Sequence, residues 1–178
     1  MKKEEIDRIW AMPNKWTFSI KPIKQMLEQE IRDGRFWIDP YAGENGALYA
    51  DHTNDLARGG IDALDFLKRF GDNFADGILL DPPYSLRQVS EHYKKAGIKC
   101  TGWHTSAGYN SKLKDEVARI VKPGGKAICF GWNSNGLGKK RGFEMTRILL
   151  VPHGGSKNDT ICTVEIKSSP PTLPKRCG

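Results

Sequence analysis

Asp81-Pro82-Pro83-Tyr84 stands directly after the apolar run Ile78-Leu79-Leu80. Such a run, stopped by an acid and two prolines, reads as a buried strand that delivers its end to a loop. In an α/β sheet, ligands sit outside the carboxyl ends of the strands. Pro83 biases Pro82 toward an extended conformation, which lets the Pro82 carbonyl point outward. A carboxylate and a carbonyl together offer two acceptors, and an exocyclic NH2 group has two donors. The Tyr84 ring can stack on the base that carries such an amine. The plain alternative is a strand-ending Pro-Pro turn with a buried tyrosine.

The charge distribution frames this tetrad. The chain has 178 residues, with 28 Lys+Arg against 21 Asp+Glu and a net charge of +7. Residues 33–84 hold 10 acids and 4 bases, for a net −6, while residues 85–128 come to +6 and residues 136–178 to +5. An acidic block is therefore followed by a basic one, and basic surfaces attract phosphate backbones through counterion release. An ordinary solvated basic surface is the alternative. The length is about one domain's worth. Apolar residues make up 38% and aromatics 10%, which excludes a long disordered chain. No stretch approaches the roughly 18 apolar residues of a membrane span. No apolar run follows Met1-Lys2-Lys3-Glu4-Glu5, so no signal peptide is expected. Cys100, Cys129, Cys162 and Cys177 form no CxxC pair, and thus neither a zinc pattern nor a disulfide framework. No metal site is expected, His153 included, because no second ligand stands at zinc spacing. These features predict a soluble protein of a reducing, cytoplasmic compartment.

The elements that must position the tetrad alternate along the chain. Residues 1–14 read as an arm, 15–167 as one domain, and 168–178 as a flexible Pro-rich tail. Residues 16–20 alternate like an extended segment. Pro22 suits the first turn of a helix running to about Arg32, with Ile23, Met26, Leu27 and Ile31 at helical spacing and Gly34 ending it. Phe36-Trp37-Ile38 reads as a strand ending at Asp39-Pro40. A second strand is placed at 47–50, and a further short one starts at Ile61. Residues 63–70 read as a helix and 77–80 as a buried strand. A helix follows at 85–96, with Ser85 as N-cap. Residues 97–109 are irregular and aromatic, and 111–121 form an amphipathic helix. Pro123-Gly124-Gly125 is a turn. Strands are expected at 126–130, 145–151 and 160–166, with the last two paired antiparallel. Alternating strands and helices imply an α/β fold, a mostly parallel sheet with helices on both faces and an antiparallel edge strand from the C-terminal hairpin. The stretch between 39 and 48 is too short for a crossover helix, which normally takes a dozen or more residues.

Asp81-Pro82-Pro83-Tyr84 behind a strand resembles the DPPY signature of amino-group DNA methyltransferases of small phage or bacterial type. It is most similar to those acting on adenine N6; the cytosine N4 enzymes more often carry Ser in the first place. Other segments extend the likeness over residues 15–166. Asp39-Pro40-Tyr41-Ala42-Gly43 resembles the turn that cups the amino-acid part of S-adenosylmethionine. Trp16-Thr17-Phe18-Ser19-Ile20 with Pro22 is similar to a cofactor-contacting segment ahead of that turn. Asn54-Asp55-Leu56 resembles the acidic end of the second strand, and the segment from Asp62 through Asp65 and Phe66 to Leu67 the motif that holds the cofactor adenine. Lys122-Pro123-Gly124-Gly125 is similar to a turn common in this Rossmann-like fold. One departure is Asn45, standing where the family usually has glycine; Asn tolerates left-handed backbone better than most residues.

The resemblance implies S-adenosylmethionine as cofactor and adenine in DNA as substrate. Asp39 would pair with the cofactor's ammonium. Asp55 can accept from both ribose hydroxyls, or serve as an Asx turn or cap. Asp65 can accept from the cofactor adenine while Phe66 covers the ring, or Leu64, Phe66 and Leu67 can be core with Asp62 as a helix cap. Transfer would be direct, with Asp81 and the Pro82 carbonyl orienting the amine and Tyr84 stacking on a base flipped out of the duplex. DNA contacts fall in the basic half, Arg87, Lys94, Lys95, Lys99 and Lys112 among Tyr93, Trp103, His104 and Tyr109, or this stretch is a solvated helix face with a few core aromatics. Trp132 and Asn133, in the loop after the 126–130 strand, would complete the base pocket or help to eject the base, or the loop is a plain one with Trp132 in the core. Lys139, Lys140, Arg141 and Lys157 would bind phosphate. The length leaves no space for a recognition domain, so a short target or a homodimer that shares recognition is expected. RNA adenine methylation on the same pocket, or a non-catalytic nucleic-acid-binding protein, are the rival readings.

Overall fold

The apolar run ahead of the tetrad is buried on both sides, which suits a central strand. In the computed structural model, which describes residues 4–31, 35–43, 48–155 and 157–169, it forms part of β4, Ala75–Leu80. The other strands are β1 (Glu5–Arg8), β2 (Trp37–Asp39), β3 (His52–Thr53), β5 (Val121–Gly131), β6 (Phe143–Val151) and β7 (Thr160–Lys167). They make one sheet in the order β1-β6-β7-β5-β4-β2-β3. Pairing is parallel except where β7 runs antiparallel to β5 and to β6. The helices are α1 (Lys21–Glu30), α2 (Ala63–Leu67), α3 (Leu86–Lys95) and α4 (Ala107–Ile120).

Side-chain alternation along β4 divides the core. Ile78 and Leu80 pack with Leu64, Leu67, Leu113, Val117 and Ile120, so α2 and α4 cover one face. Leu79 packs with Trp37, Ile23, Met26 and Leu27, so α1 covers the other. The predicted first helix and the Ser85-capped helix are present. Ser85 accepts from the Gln88 N–H, and Gln88 Oε1 accepts from the Ser85 N–H, a reciprocal capping box.

Several expectations are corrected. Residues 5–8 do not hang free as an arm but pair with β6. Ile9 N–H and Ala11 N–H continue the pairing, donating to the Leu150 and Pro152 carbonyls. Glu-Ile-Asp-Arg lacks an apolar pattern because an edge strand buries little. Residues 16–20 are not extended but wind a 3₁₀ turn at Thr17–Ser19. The second strand lies at 52–53 rather than 47–50; residues 44–47, Asn45 among them, are outside the described residues. Ile61 starts no strand, because its N–H and carbonyl both bond the Asn54 side chain instead of a neighbouring strand. The helix after it ends at Leu67. Helix α4 starts at Ala107, capped by Ser106, so the irregular stretch is shorter than expected. Gly124, at φ +77°, makes an irregularity within β5 rather than a turn ahead of it. Finally, β7 is inserted between β5 and β6 and is not an edge strand.

Gly77 explains how Trp37 enters the core. The two residues are paired in register, and a Cβ on Gly77 would lie 2.5 Å from three atoms of the Trp37 ring. Trp37 is fully buried. Gly77→Ala is expected to destabilise the fold by roughly 1–3 kcal/mol, the usual range for overpacking. Chemical denaturation would read this as a lower midpoint with an unchanged slope.

Candidate active site

Strands β2 and β4 are parallel neighbours, and each brings an acid to the same edge of the sheet. Asp39 ends β2 and is fully buried. Its Oδ1 accepts from the Tyr41 N–H at 2.9 Å, while Oδ2 has no hydrogen-bond partner among the described residues. Burial holds this carboxyl well above the ordinary range; the Tyr41 bond opposes the shift, and the nearby Asp81 adds to it. Asp81 follows β4 and is also raised by burial. Hydrogen bonds from the Tyr84 and Thr17 hydroxyls partly counter that rise.

Tyr84 is therefore not free in this arrangement. Its hydroxyl donates to Asp81 Oδ1, and its backbone N–H donates to Gln88 Oε1 at 2.8 Å. Its ring lies 5.7 Å from the half-exposed Trp132 ring. Burial and the adjoining Asp81 push the Tyr84 phenol far above its ordinary value, so it stays a donor.

A cleft of about 280 Å³ opens here. It is lined by residues 15–18, 41–43 and 81–84, together with Gln88 and His92 of α3. Trp16, Thr17, Phe18, Tyr41, Ala42 and Gly43 thus meet Asp81, Pro82, Pro83 and Tyr84. Phe18 packs on Phe130 at 5.0 Å and edge-on to Tyr49 at 6.1 Å, so that wall is anchored in the core. Thr17 reaches Asp81 as well, a contact that arises only when residues 64 positions apart are folded together.

The other expected cofactor residues are distributed differently. Pro40 and Leu56 line a narrow cavity of about 30 Å³ with Pro82 and Pro83. Asn54 lines it too, but its side chain is used as a clamp, donating to the Pro40 and Ile61 carbonyls at 3.1 and 2.9 Å. Asp55 faces an adjoining pocket that shares Trp16, Gly43 and His92 with the cleft. Its carboxylate accepts from the Ala57 N–H and meets Arg58 at 3.4 Å, so here it serves as a cap. Asp65 is exposed, pairs with Lys68 at 2.9 Å and lines a separate pocket with Trp103 and Lys112. Phe66 packs edge-on to Phe70. The acid beside them does more: Asp62 caps α2 through Oδ1, and its Oδ2 accepts from the Tyr93 and Tyr109 hydroxyls. Its place just ahead of an apolar helical run signals the cap, but not the tyrosines.

The basic half is only partly free. Lys94, Lys95, Lys139 and Lys140 are exposed. Arg87 pairs with Glu91 at 2.8 Å. Trp103 is 42% exposed, with Lys112 Nζ 5.2 Å above its ring. His104 stacks against Tyr93 at 4.4 Å, and Tyr109 is buried, so these rings belong to the packing around Asp62. Asn133 Oδ1 accepts from the Asn135 N–H, which shapes its own loop. Arg141 bonds Asp115 at 2.7 Å and Ser111 Oγ at 2.9 Å, which anchors the 139–141 turn to α4. Burial pushes the Cys162 thiol up, and the Cys129 thiol up to about 12, which leaves neither as a thiolate nucleophile. Among the described residues, no group of three or more His, Cys, Asp or Glu could hold a metal ion, and no helix is long and apolar enough to cross a membrane.

No family model matches the sequence, and no curated protein is similar to it. Solved structures are. The N-methyltransferase NodS from Bradyrhizobium japonicum WM9 shares 8% identity at a TM-score of 0.50, over 84% of this chain and 96% of that one. The 1,6-didemethyltoxoflavin-N1-methyltransferase of Burkholderia thailandensis, solved with S-adenosylhomocysteine, shares 12% identity at a TM-score of 0.54, over 84% and 78%. The fold is that of S-adenosylmethionine-dependent methyltransferases. At such identities the likeness is one of backbone architecture alone.

Proposed function

We propose that the protein transfers a methyl group from S-adenosylmethionine to the N6 amino group of adenine in DNA. One arrangement supports this above the rest. The Asp81 carboxyl and the Pro82–Tyr84 segment share a single cleft with residues 15–18 and 41–43, the segments that resemble the cofactor turn and its approach. The residues present fit a cationic cofactor, because Asp39 Oδ2 is a buried carboxyl oxygen that lacks a partner among the described residues. Bound there, S-adenosylmethionine supplies an electrophilic methyl group on a sulfonium. Trp16, Thr17, Phe18, Tyr41, Ala42 and Gly43 would form the wall around it.

The chain's own residues would do the rest. Asp81 and the Pro82 carbonyl accept the two N–H groups of the amine and fix its direction. To do so, the amine displaces the Tyr84 hydroxyl from Asp81 Oδ1, and the released ring can lie over the base. Methylation leaves an extra proton on the nitrogen. Asp81, which burial makes a better base than an ordinary carboxylate, is in hydrogen-bond reach to take it. Most of the acceleration comes from positioning and from preorganised electrostatics.

The Asp81 shift has a readable consequence. Activity needs the carboxylate, so kcat/KM should rise with pH along an acid limb lying above the ordinary value of about 3.9. The Tyr84 hydrogen bond holds that limb down. Tyr84→Phe keeps the ring and loses the bond, so its limb should move to higher pH. An unmoved limb would separate Tyr84 from Asp81 in function. The activity itself is tested by incubating the protein with plasmid DNA and S-adenosylmethionine, then mapping N6-methyladenine by sequencing. Single-stranded DNA and RNA serve as parallel substrates. Transfer to RNA alone, or to nothing, would overturn the proposal.

A further inference from the structure

A second groove, of about 360 Å³, lies beyond Tyr84. It shares Lys15, Thr17, Tyr84 and Gln88 with the cleft, so Tyr84 is the partition between the two. Its far side is built from Trp132, after β5, and from Lys157 and Asn158 in the β6–β7 loop; Asn14 comes from the N-terminal segment. Three parts of the chain, distant in sequence, thus converge on one groove. No carboxylate lines it among the described residues. Asp159, next in sequence to Asn158, is turned to the His153 N–H. Lys15 and Lys157 are exposed, and neither is held in an ion pair with a described acid. Lys15 Nζ sits 4.4 Å over the Trp16 ring, which holds it at the boundary of the two cavities. Trp132 is 42% exposed, with its ring 5.7 Å from that of Tyr84.

An exposed aromatic face and two lysines lining one groove, with neutral amides alongside, suit one nucleotide. The ring takes a base of any identity, the lysines take a phosphate, and the amides can bond the sugar or a base edge. We infer that this groove is a second nucleotide subsite, which takes the nucleotide next to the target adenine with its base on Trp132 and its phosphate between Lys15 and Lys157. The inference rests on reading the cleft as an adenine site in DNA. It gives the segment ahead of the cofactor wall a role in DNA binding.

Direct binding tests it without relying on turnover. A fluorescent single-stranded DNA on the order of ten nucleotides, within the span of such grooves, is titrated with the full chain at several salt concentrations. The Lys15→Ala/Lys157→Ala double variant should bind at least tenfold more weakly. Its slope against log salt should be shallower by roughly 0.7 for each lysine lost. Trp132→Ala should weaken binding roughly 5- to 150-fold, the range of a lost base–aromatic stack, with the slope unchanged, and Trp132→Tyr should restore it. All three side chains are exposed, so unfolding midpoints should match the wild type. Unchanged affinity and slope in both variants, or a wild type that does not bind, would overturn the subsite. Tighter binding of the matching RNA through the same three residues would overturn its assignment to DNA. Failure of the parent reading looks different: intact, variant-sensitive binding with no methyl transfer.

Discussion

Asp81→Ala is expected to lower methyl transfer to adenine in DNA by at least roughly 10²–10³-fold, the loss typical of removing one preorganised polar group from a reacting centre. Affinity for S-adenosylhomocysteine should stay within a few-fold of the wild type. The asymmetry follows from where Asp81 stands. Its carboxyl is bonded by Tyr84 and Thr17 hydroxyls and lies at the mouth of β4, whereas Asp39 Oδ2 is a buried carboxyl oxygen with no partner among the described residues. Alanine removes one of two acceptors for the amine and leaves the Pro82 carbonyl. It also strands the Tyr84 hydroxyl, a local cost that the exposed cleft can offset with water. Asp81→Asn keeps one acceptor oxygen but cannot take the proton, so it should fall between wild type and alanine. Incorporation of labelled methyl groups into DNA reads the first effect, and calorimetric titration the second. Full activity in Asp81→Ala would remove the tetrad from the chemistry. Parallel loss of cofactor affinity would move Asp81 to the cofactor side.

The tetrad and its strand were legible because burial on both faces leaves a short apolar run, and Pro-Pro cuts it sharply. The same logic makes Trp37-Ile38-Asp39 and the α1 stripe readable. What escaped was set by partners far away in the chain. Glu5–Arg8 carries no apolar pattern of its own and becomes a strand only because β6 offers an edge. The His52–Thr53 strand is two residues long and is fixed by backbone bonds, Asp51 N–H to the Trp37 carbonyl and Asn54 N–H to the Asp39 carbonyl. The basic-aromatic stretch reads as one surface along the chain, yet the fold sorts it. Tyr93, His104 and Tyr109 turn inward to Asp62, while Trp103 and Lys112 stay outside. Residue type cannot make that division, since a tyrosine suits a core and a nucleic-acid surface equally. The Thr17–Asp81 contact, and the groove shared by Lys15, Tyr84 and Lys157, are likewise products of topology.

Asp39→Asn should separate stability from binding. In the folded protein without cofactor, burial and the nearby Asp81 raise the Asp39 carboxyl well above its ordinary value. An acid whose folded value exceeds its unfolded one leaves the folded state binding more protons between the two. Stability is then full below the unfolded value, about 3.9, and declines as pH rises toward the folded one. Asp81, raised as well, contributes in the same direction. Asp76 works the other way at lower pH, because the Phe36 N–H and Lys122 hold its carboxyl down. The substituted amide keeps an acceptor for the Tyr41 N–H and carries no charge. The unfolding midpoint of the variant should therefore fall less than that of the wild type as pH rises above the ordinary carboxylate value of about 3.9. Thermal unfolding across that rise in pH reads the difference. Cofactor affinity should move the opposite way, weakening by roughly 2–5 kcal/mol, or about 30-fold and more, as when one partner of a buried charge pair is lost. Cofactor would accordingly stabilise the wild type more than the variant, and most at the higher pH, where the carboxylate is otherwise least tolerated. A variant that binds cofactor as well as the wild type would leave Asp39 Oδ2, which has no partner among the described residues, without a ligand to explain it, and the burial of that acid at the strand end would then be purely structural.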